Sequence, residues 1–274
     1  MVEITLYNGD CLQVMKELPA QSVDLIICDL PYGCLSGGAG KEKAKRKELK
    51  RADYPDRPNA RSVGGTLGGC TWDVKINLEE FWKEVKRIRK NEHSPCIHFC
   101  TTKFGIDLIQ SNPTEFRYDL VWNKEQGVSF LTANKMPMRS HEMIYVFSKA
   151  GAFYQRIDII GDFKQWNRPP SVHKGGCYGN VVNPISEGGD GTRCVLSVIN
   201  MKNPKNNNNV HPTEKLNNLY KWLIERYCPA GGTVLDPTFG SGNSVFTAYG
   251  MGRNAIGIEM NEEFFNKAVE RLEL

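Results

Sequence analysis

The residues best suited to chemistry stand in TVLDPTFGSGNS, residues 233–244. An apolar, strand-like run leads into Asp236, then a turn built on Gly240 and Gly242, then a helix-like stretch. Such a turn brings backbone N–H groups and a helix N-terminus against a ligand. Glu259 closes the next apolar run, AIGIE, where a carboxylate can accept hydrogen bonds from two ribose hydroxyls. Together these features point to a nucleoside cofactor. A dinucleotide fingerprint would need glycine where Val245 stands, and Asp236 would repel a pyrophosphate but welcome an ammonium. S-adenosylmethionine carries an α-amino group, a sulfonium and a ribose, and no phosphate, so it suits this charge pattern; S-adenosylhomocysteine would be its product.

A second stretch, CDLPYG (28–33), follows the apolar run VDLIIC. A buried strand there ends in a carboxylate, a turn-forming proline and a flat ring. Alone it is an ordinary strand exit; beside a cofactor loop it is a substrate-gripping end. A third group is His93, Cys96, His98 and Cys100, around CIHFC. Residues 96, 98 and 100 of a strand share a face, but no standard zinc spacing is matched. The sequence therefore predicts a buried strand end and no metal.

Positioning these residues requires strands that end at one edge. Periodicity predicts strands at 3–7, 23–28, 96–100, 118–122, 143–147, 233–236 and 255–259. Helices are predicted at 11–18, 78–90, 103–110, 214–227, 242–250 and 262–272. The alternation argues for an open, mostly parallel α/β sheet. Three stretches break the rhythm: 34–71, with the basic run KEKAKRKELKR (41–51); 150–200, rich in glycine, proline and aromatics; and KNPKNNNN (202–209).

Composition limits the class. Of 274 residues, 40% are hydrophobic and 24% charged, with a formal charge of +4. These values suit a globular domain and permit a polyanionic partner without demanding one. Nine cysteines with no CxxC pair read as reduced thiols in a cytoplasmic compartment. No signal peptide or membrane span is expected.

CDLPYG, LDPTFGSGNS, IGIEMNEEFF, HPTEKL (211–216), YNGDC (7–11) and WNK (122–124) together resemble the amino-methyltransferases of DNA. The likeness is to the circularly permuted group in which the catalytic motif precedes the cofactor motif. It covers nearly the whole chain, apart from 34–71 and 150–200. It implies a Rossmann-like fold with a mostly parallel sheet, an antiparallel edge strand and a small target-recognition lobe. The expected parts are 1–149 with the basic insertion at 34–71, the lobe at 150–200, and the cofactor-binding part at 201–274.

The resemblance also implies roles. Asp29, Leu30, Pro31 and Tyr32 would form the catalytic tetrapeptide, with Leu30 where the family usually has proline. Asp236, Pro237, Thr238, Phe239, Gly240, Ser241 and Gly242 would enclose the methionine moiety. Thr213 and Lys215 would reach its carboxylate end. Glu259 would hold the ribose, and Met260 would pack on the adenine. Asp10 and the Cys11 N–H would meet the adenine edge.

Asp at the first position of the tetrapeptide usually accompanies adenine-N6 targets in this family, and Ser cytosine-N4 targets. The implied activity is site-specific methylation of a flipped-out adenine in double-stranded DNA. Cytosine-N4 or RNA methylation, a catalytically silent DNA-binding module and, more remotely, a nicotinamide oxidoreductase stand as alternatives. Lys43, Lys45, Arg46 and Lys47 of the basic run are candidates for DNA contact, with Arg156, Lys164, Trp166, Arg168 and Lys174 of the lobe. A homodimer and a cognate restriction endonuclease are further partners the resemblance leaves open, in a bacterial cytoplasm or the host cell of a phage or virus.

Overall fold

The computed structural model describes residues 2–31, 75–128, 133–161, 166–168, 171–173, 181–183, 186–188, 192–202 and 215–272. Tyr32, the basic run with Lys43, Lys45, Arg46 and Lys47, Lys164, Lys174 and Thr213 lie outside the described residues.

The chain begins β1 (Ile4–Asn8), α1 (Cys11–Glu17), β2 (Leu25–Cys28), α2 (Leu78–Ile88), β3 (Cys96–Cys100), α3 (Thr102–Ser111). A long ribbon follows, β4 (Phe116–Val128) and β5 (Arg139–Phe147). Six short strands come next: β6 (Ile159–Ile160), β7 (Trp166–Arg168), β8 (Ser171–His173), β9 (Val181–Asn183), β10 (Ser186–Gly188) and β11 (Thr192–Arg193). The chain then runs β12 (Val198–Asn200), α4 (Asn217–Tyr227), β13 (Thr233–Asp236), α5 (Asn243–Gly250), β14 (Asn254–Glu259), α6 (Glu262–Leu272).

Eight strands form one sheet in the order β1-β14-β13-β2-β3-β5-β4-β12. All neighbours pair in parallel except at β5, which is antiparallel to both β3 and β4. The antiparallel strand expected at an edge therefore lies inside the sheet, because β4 and β12 add beyond it. β12, from a stretch with no readable period, joins this sheet through Val198–Val121 to Asn200–Asn123. The six short strands form three two-stranded pairs, β10 with β7, β11 with β6 and β8 with β9. β1, the first strand, lies beside β14, the last, at one edge of the sheet.

Alternation along the strands sends side chains to two cores. Leu25, Ile27, Ile97 and Phe99 face α4, α5 and α6 through Leu219, Leu223, Val245 and Ala268. Ile26, Cys28, Cys96 and Cys100 face α1, α2 and α3 through Met15, Phe81, Trp82 and Phe104. This is a three-layer α/β/α arrangement. Asn77 caps α2 by accepting from the N–H groups of Glu79 and Glu80 at 3.1 and 3.3 Å, which satisfies donors otherwise orphaned at a helix start. Among the described residues no helix is long and apolar enough to cross a membrane.

One buried ion pair locks the lower end of the sheet. Both amino groups of Arg89 donate to Glu115, at 2.9 and 2.8 Å, and Asn112 donates to the same carboxylate at 3.1 Å. Removing one member of such a pair strands the other charge. Glu115→Ala should therefore lower stability by roughly 3–5 kcal/mol, measured by urea unfolding; an unchanged midpoint would contradict this role.

Candidate active site

Because β1, β2, β13 and β14 run parallel, their carboxyl ends reach the same edge, where open α/β sheets bind ligands. Asp10 and Asp29 follow β1 and β2, and Asp236 and Glu259 end β13 and β14. One cavity of about 470 Å³ opens there. Asp29, Leu30 and Pro31 line it together with Pro237, Thr238, Phe239, Gly240 and Ser241. Asp10, Cys11, Glu259 and Met260 line it as well. The two motifs, remote in sequence, face a shared opening.

Asp236 is 2% exposed. The Thr238 N–H donates to its Oδ1 at 2.9 Å, and the Ser244 hydroxyl donates to Oδ2. Burial pushes its carboxyl up to about 7, against the pull of these two donors; the charges of Asp29 and Glu259 act in the same direction as burial. A buried carboxylate with its pKa near neutrality gains most from a cation. The turn that follows requires glycine at 242: its φ is +83°, and a Cβ there would meet the Phe246 ring at 2.3 Å.

Glu259 accepts the Gly240 N–H at 2.9 Å and the Asn261 N–H at 2.7 Å, one on each oxygen. Each oxygen keeps a lone pair for a further donor, as two ribose hydroxyls require. Burial pushes this carboxyl up too, while its backbone donors oppose the shift. Asp10 caps α1, accepting from Leu12 N–H at 2.7 Å. Burial pushes the neighbouring Cys11 thiol up to about 12, which removes it as a nucleophile. Met260 is 62% exposed and offers an apolar wall at the cavity rim.

On the other side, the Leu30 side chain is buried in the core with α1 and α2, which accommodates leucine in place of proline. Lys215 donates to Asp29 Oδ2 at 2.5 Å. Its ammonium also lies 3.6 Å from Glu142 Oε2, and Lys124 pairs with the other oxygen of Glu142. Burial disfavours the charge on Lys215, but Asp29 and Glu142 outweigh it and its pKa rises. Glu142 is held below its ordinary range: burial acts upward and the two lysines prevail. The family resemblance implies that Lys215 reaches the cofactor's carboxylate end; the structure places its ammonium on the Asp29 carboxylate.

Lys124 and Glu142, to which the sequence motifs assign no role, also line the cavity. The available signal was positional. Glu142 pairs with Trp122 in register near the start of an antiparallel strand, which begins at the edge where parallel strands end. Among the lobe candidates, Arg156 is exposed and forks onto Asp158 through two bonds of 2.6 Å. Trp166 and Arg168 lie on β7, paired with β10. Arg156 stands outside the cavity lining.

Comparison with known proteins gives a consistent picture. The profile of the family described as DNA methylase matches residues 23–270. The chain is 37% identical over 275 residues to the type II methyltransferase M.HpaI of Haemophilus parainfluenzae, covering 98% of this chain and 74% of that protein. It is 27% identical over 287 residues to the DNA adenine methyltransferase YhdJ of Escherichia coli (strain K12), covering 98% and 83%. Among solved structures, the M1.HpyAVI–SAM complex superposes with a TM-score of 0.56 at 20% identity, covering 99% of this chain and 100% of that one. The cytosine-N4-specific PvuII DNA methyltransferase gives 0.61 at 15% identity, covering 98% and 86%.

Proposed function

The chain belongs to the DNA methylase family, and on that premise we propose that it methylates the N6 amino group of adenine at a specific site in double-stranded DNA. It is an S-adenosylmethionine-dependent methyltransferase. The observation that carries the finer reading is the shared cavity: Asp29 and the cofactor loop line the same opening.

The residues fit the cofactor. Buried Asp236, adjacent to lining residues 237–241 but not itself among them, suits an ammonium; Glu259 suits a ribose, and Phe239 and Met260 supply apolar walls. When bound, S-adenosylmethionine supplies an electrophilic methyl group on a sulfonium.

The chain's own part is to present the nitrogen. An exocyclic amine is a weak nucleophile because its lone pair is delocalised into the ring. Asp29 accepts one N–H and the Leu30 carbonyl accepts the other, which favours a pyramidal nitrogen with its lone pair free. Positive charge grows on that nitrogen as it is alkylated, and a fixed carboxylate stabilises it. The proton leaves afterwards through Asp29 or water. The target atom lies inside a paired stack, so the base must be extruded. Aspartate at position 29 supports adenine, and the relative YhdJ carries adenine in its name.

Lys215 must yield as the amine arrives at Asp29. Among the described residues Glu142 Oε2 is buried without a hydrogen-bond partner, 3.6 Å from the ammonium, and receives it. Glu142→Gln keeps the shape but removes this alternative charge. Turnover should fall roughly ten- to a hundredfold, the value of one charged hydrogen bond, with the KM for cofactor unchanged. An unaltered kcat would remove Glu142 from the mechanism.

The base is identified by incubating the protein with labelled cofactor and random-sequence duplexes, then digesting to nucleosides for mass spectrometry. Label on N6-methyladenine supports the proposal. Label on N4-methylcytosine, or on RNA alone, overturns it.

A further inference from the structure

On the sheet face away from the cofactor loop, a group of side chains has no part in methyl transfer. β2 and β3 are parallel neighbours, and Cys28 stands opposite His98 in register. Cys96, two residues before His98, shares its face. The two thiol sulfurs are 3.9 Å apart, and Cys96 Sγ is 3.3 Å from His98 Nε2. All three ligand atoms lie within 4.8 Å of one another. The residues are 0%, 2% and 0% exposed for Cys28, Cys96 and His98.

The sulfur separation is about twice a disulfide bond, so the pair is not cross-linked. It is, however, the separation that two thiolates adopt around one ion. Three ligand atoms so close together can converge on one cation, for which a Zn–S bond of about 2.3 Å is typical. The imidazole is boxed by the rings of Phe81, Trp82 and Phe147, with centroids 5.6, 5.2 and 5.6 Å away. Among the described residues its Nδ1 is buried without a hydrogen-bond partner. Nε2 carries the ring's one weak sulfur contact, and ligation there would replace that contact with a metal bond, leaving Nδ1 as the protonated nitrogen.

We propose that Cys28, Cys96 and His98 form a structural site for a thiophilic divalent cation, zinc by charge. Two thiolates neutralise Zn²⁺, which a pocket without solvent tolerates better than a net charge. Binding releases the two thiol protons to solvent. Cys28 immediately precedes Asp29, so the ion would tie the end of the catalytic strand to β3. CIHFC forms the buried strand that the sequence predicts, and the third member of the proposed ligand set stands 68 residues upstream.

The test uses the full chain expressed in zinc-supplemented medium, dialysed, and measured by inductively coupled plasma mass spectrometry. About one zinc per chain is expected. Cys28→Ser and Cys96→Ser should each lose it, and Cys228→Ser, buried in the opposite core, should keep it. Should the first two variants fail to fold, cobalt substitution of the wild-type chain decides: a thiolate-to-cobalt charge-transfer band is expected. Wild-type zinc no higher than in folded Cys28→Ser, or a cobalt protein without that band, overturns the proposal.

Discussion

Asp29→Ala should lower the single-turnover rate of methyl transfer by about two to three orders of magnitude, with cofactor affinity nearly unchanged. The reason is spatial. Asp29 closes the end of β2, whereas the residues suited to the cofactor sit on β13, β14 and the turn after β13. Loss of its carboxylate removes the acceptor for one amine N–H and the charge opposite the developing cation. The substitution should be tolerated by the fold, because Lys215 keeps Glu142 as a partner at 3.6 Å. Asp29→Asn separates the two effects: it retains an acceptor but no charge, so an intermediate loss is expected. Rapid-quench measurement with a saturating duplex, beside calorimetric titration of cofactor, reads both quantities. Near-normal transfer in the alanine variant would remove Asp29 from the chemistry.

The second large effect concerns Asp236. Its carboxyl titrates at about 7, above the ordinary carboxylate range, so near neutrality it is only partly ionised. In the proposed assignment only the ionised form would pair with the cofactor's ammonium. Affinity should therefore rise about tenfold per pH unit up to neutrality. It then levels off, and falls again as the α-amino group loses its proton near pH 8. Asp236→Ala should weaken binding roughly ten- to a hundredfold and flatten the acid limb. Calorimetry from pH 5 to 9 on both proteins checks this, and a flat wild-type profile would show that Asp236 does not meet the ammonium.

The same group affects stability with a defined sign. A folded-state pKa raised above the unfolded value means that the folded chain binds more protons between pH about 4 and 7. Stability from this residue is thus highest below pH 4 and declines until about 7. In the proposed assignment, bound cofactor would offset that decline by supplying a counter-charge.

The parts legible in the sequence were those whose signal is local. Apolar runs ending in Asp236, Glu259 and CDLPYG identified strand ends, and glycine at 242 marked a turn that only a residue tolerating positive φ can make. Those short patterns also imply their shared edge once the strands are parallel. What stayed hidden depends on pairing across long separations. The Lys215–Asp29 bond spans 186 residues, and neither partner's neighbours announce it. Glu142 reaches the site only because β5 runs antiparallel between β3 and β4, a topology that periodicity does not encode. β12 is three residues long and irregularly flanked, too short to carry a repeat.

The most direct test of the central claim uses a single molecule in which the adenine N6 nitrogen is joined to the S-adenosylhomocysteine skeleton at the position of the transferred carbon. If Asp29 and the turn after Asp236 serve one transfer, this compound should bind the wild-type protein far more tightly than S-adenosylhomocysteine. Asp29→Ala should erase that advantage while leaving the affinity for S-adenosylhomocysteine itself unchanged. A joined compound that binds no better than S-adenosylhomocysteine, or equally well to both proteins, would show that the two motifs do not act on the same bond.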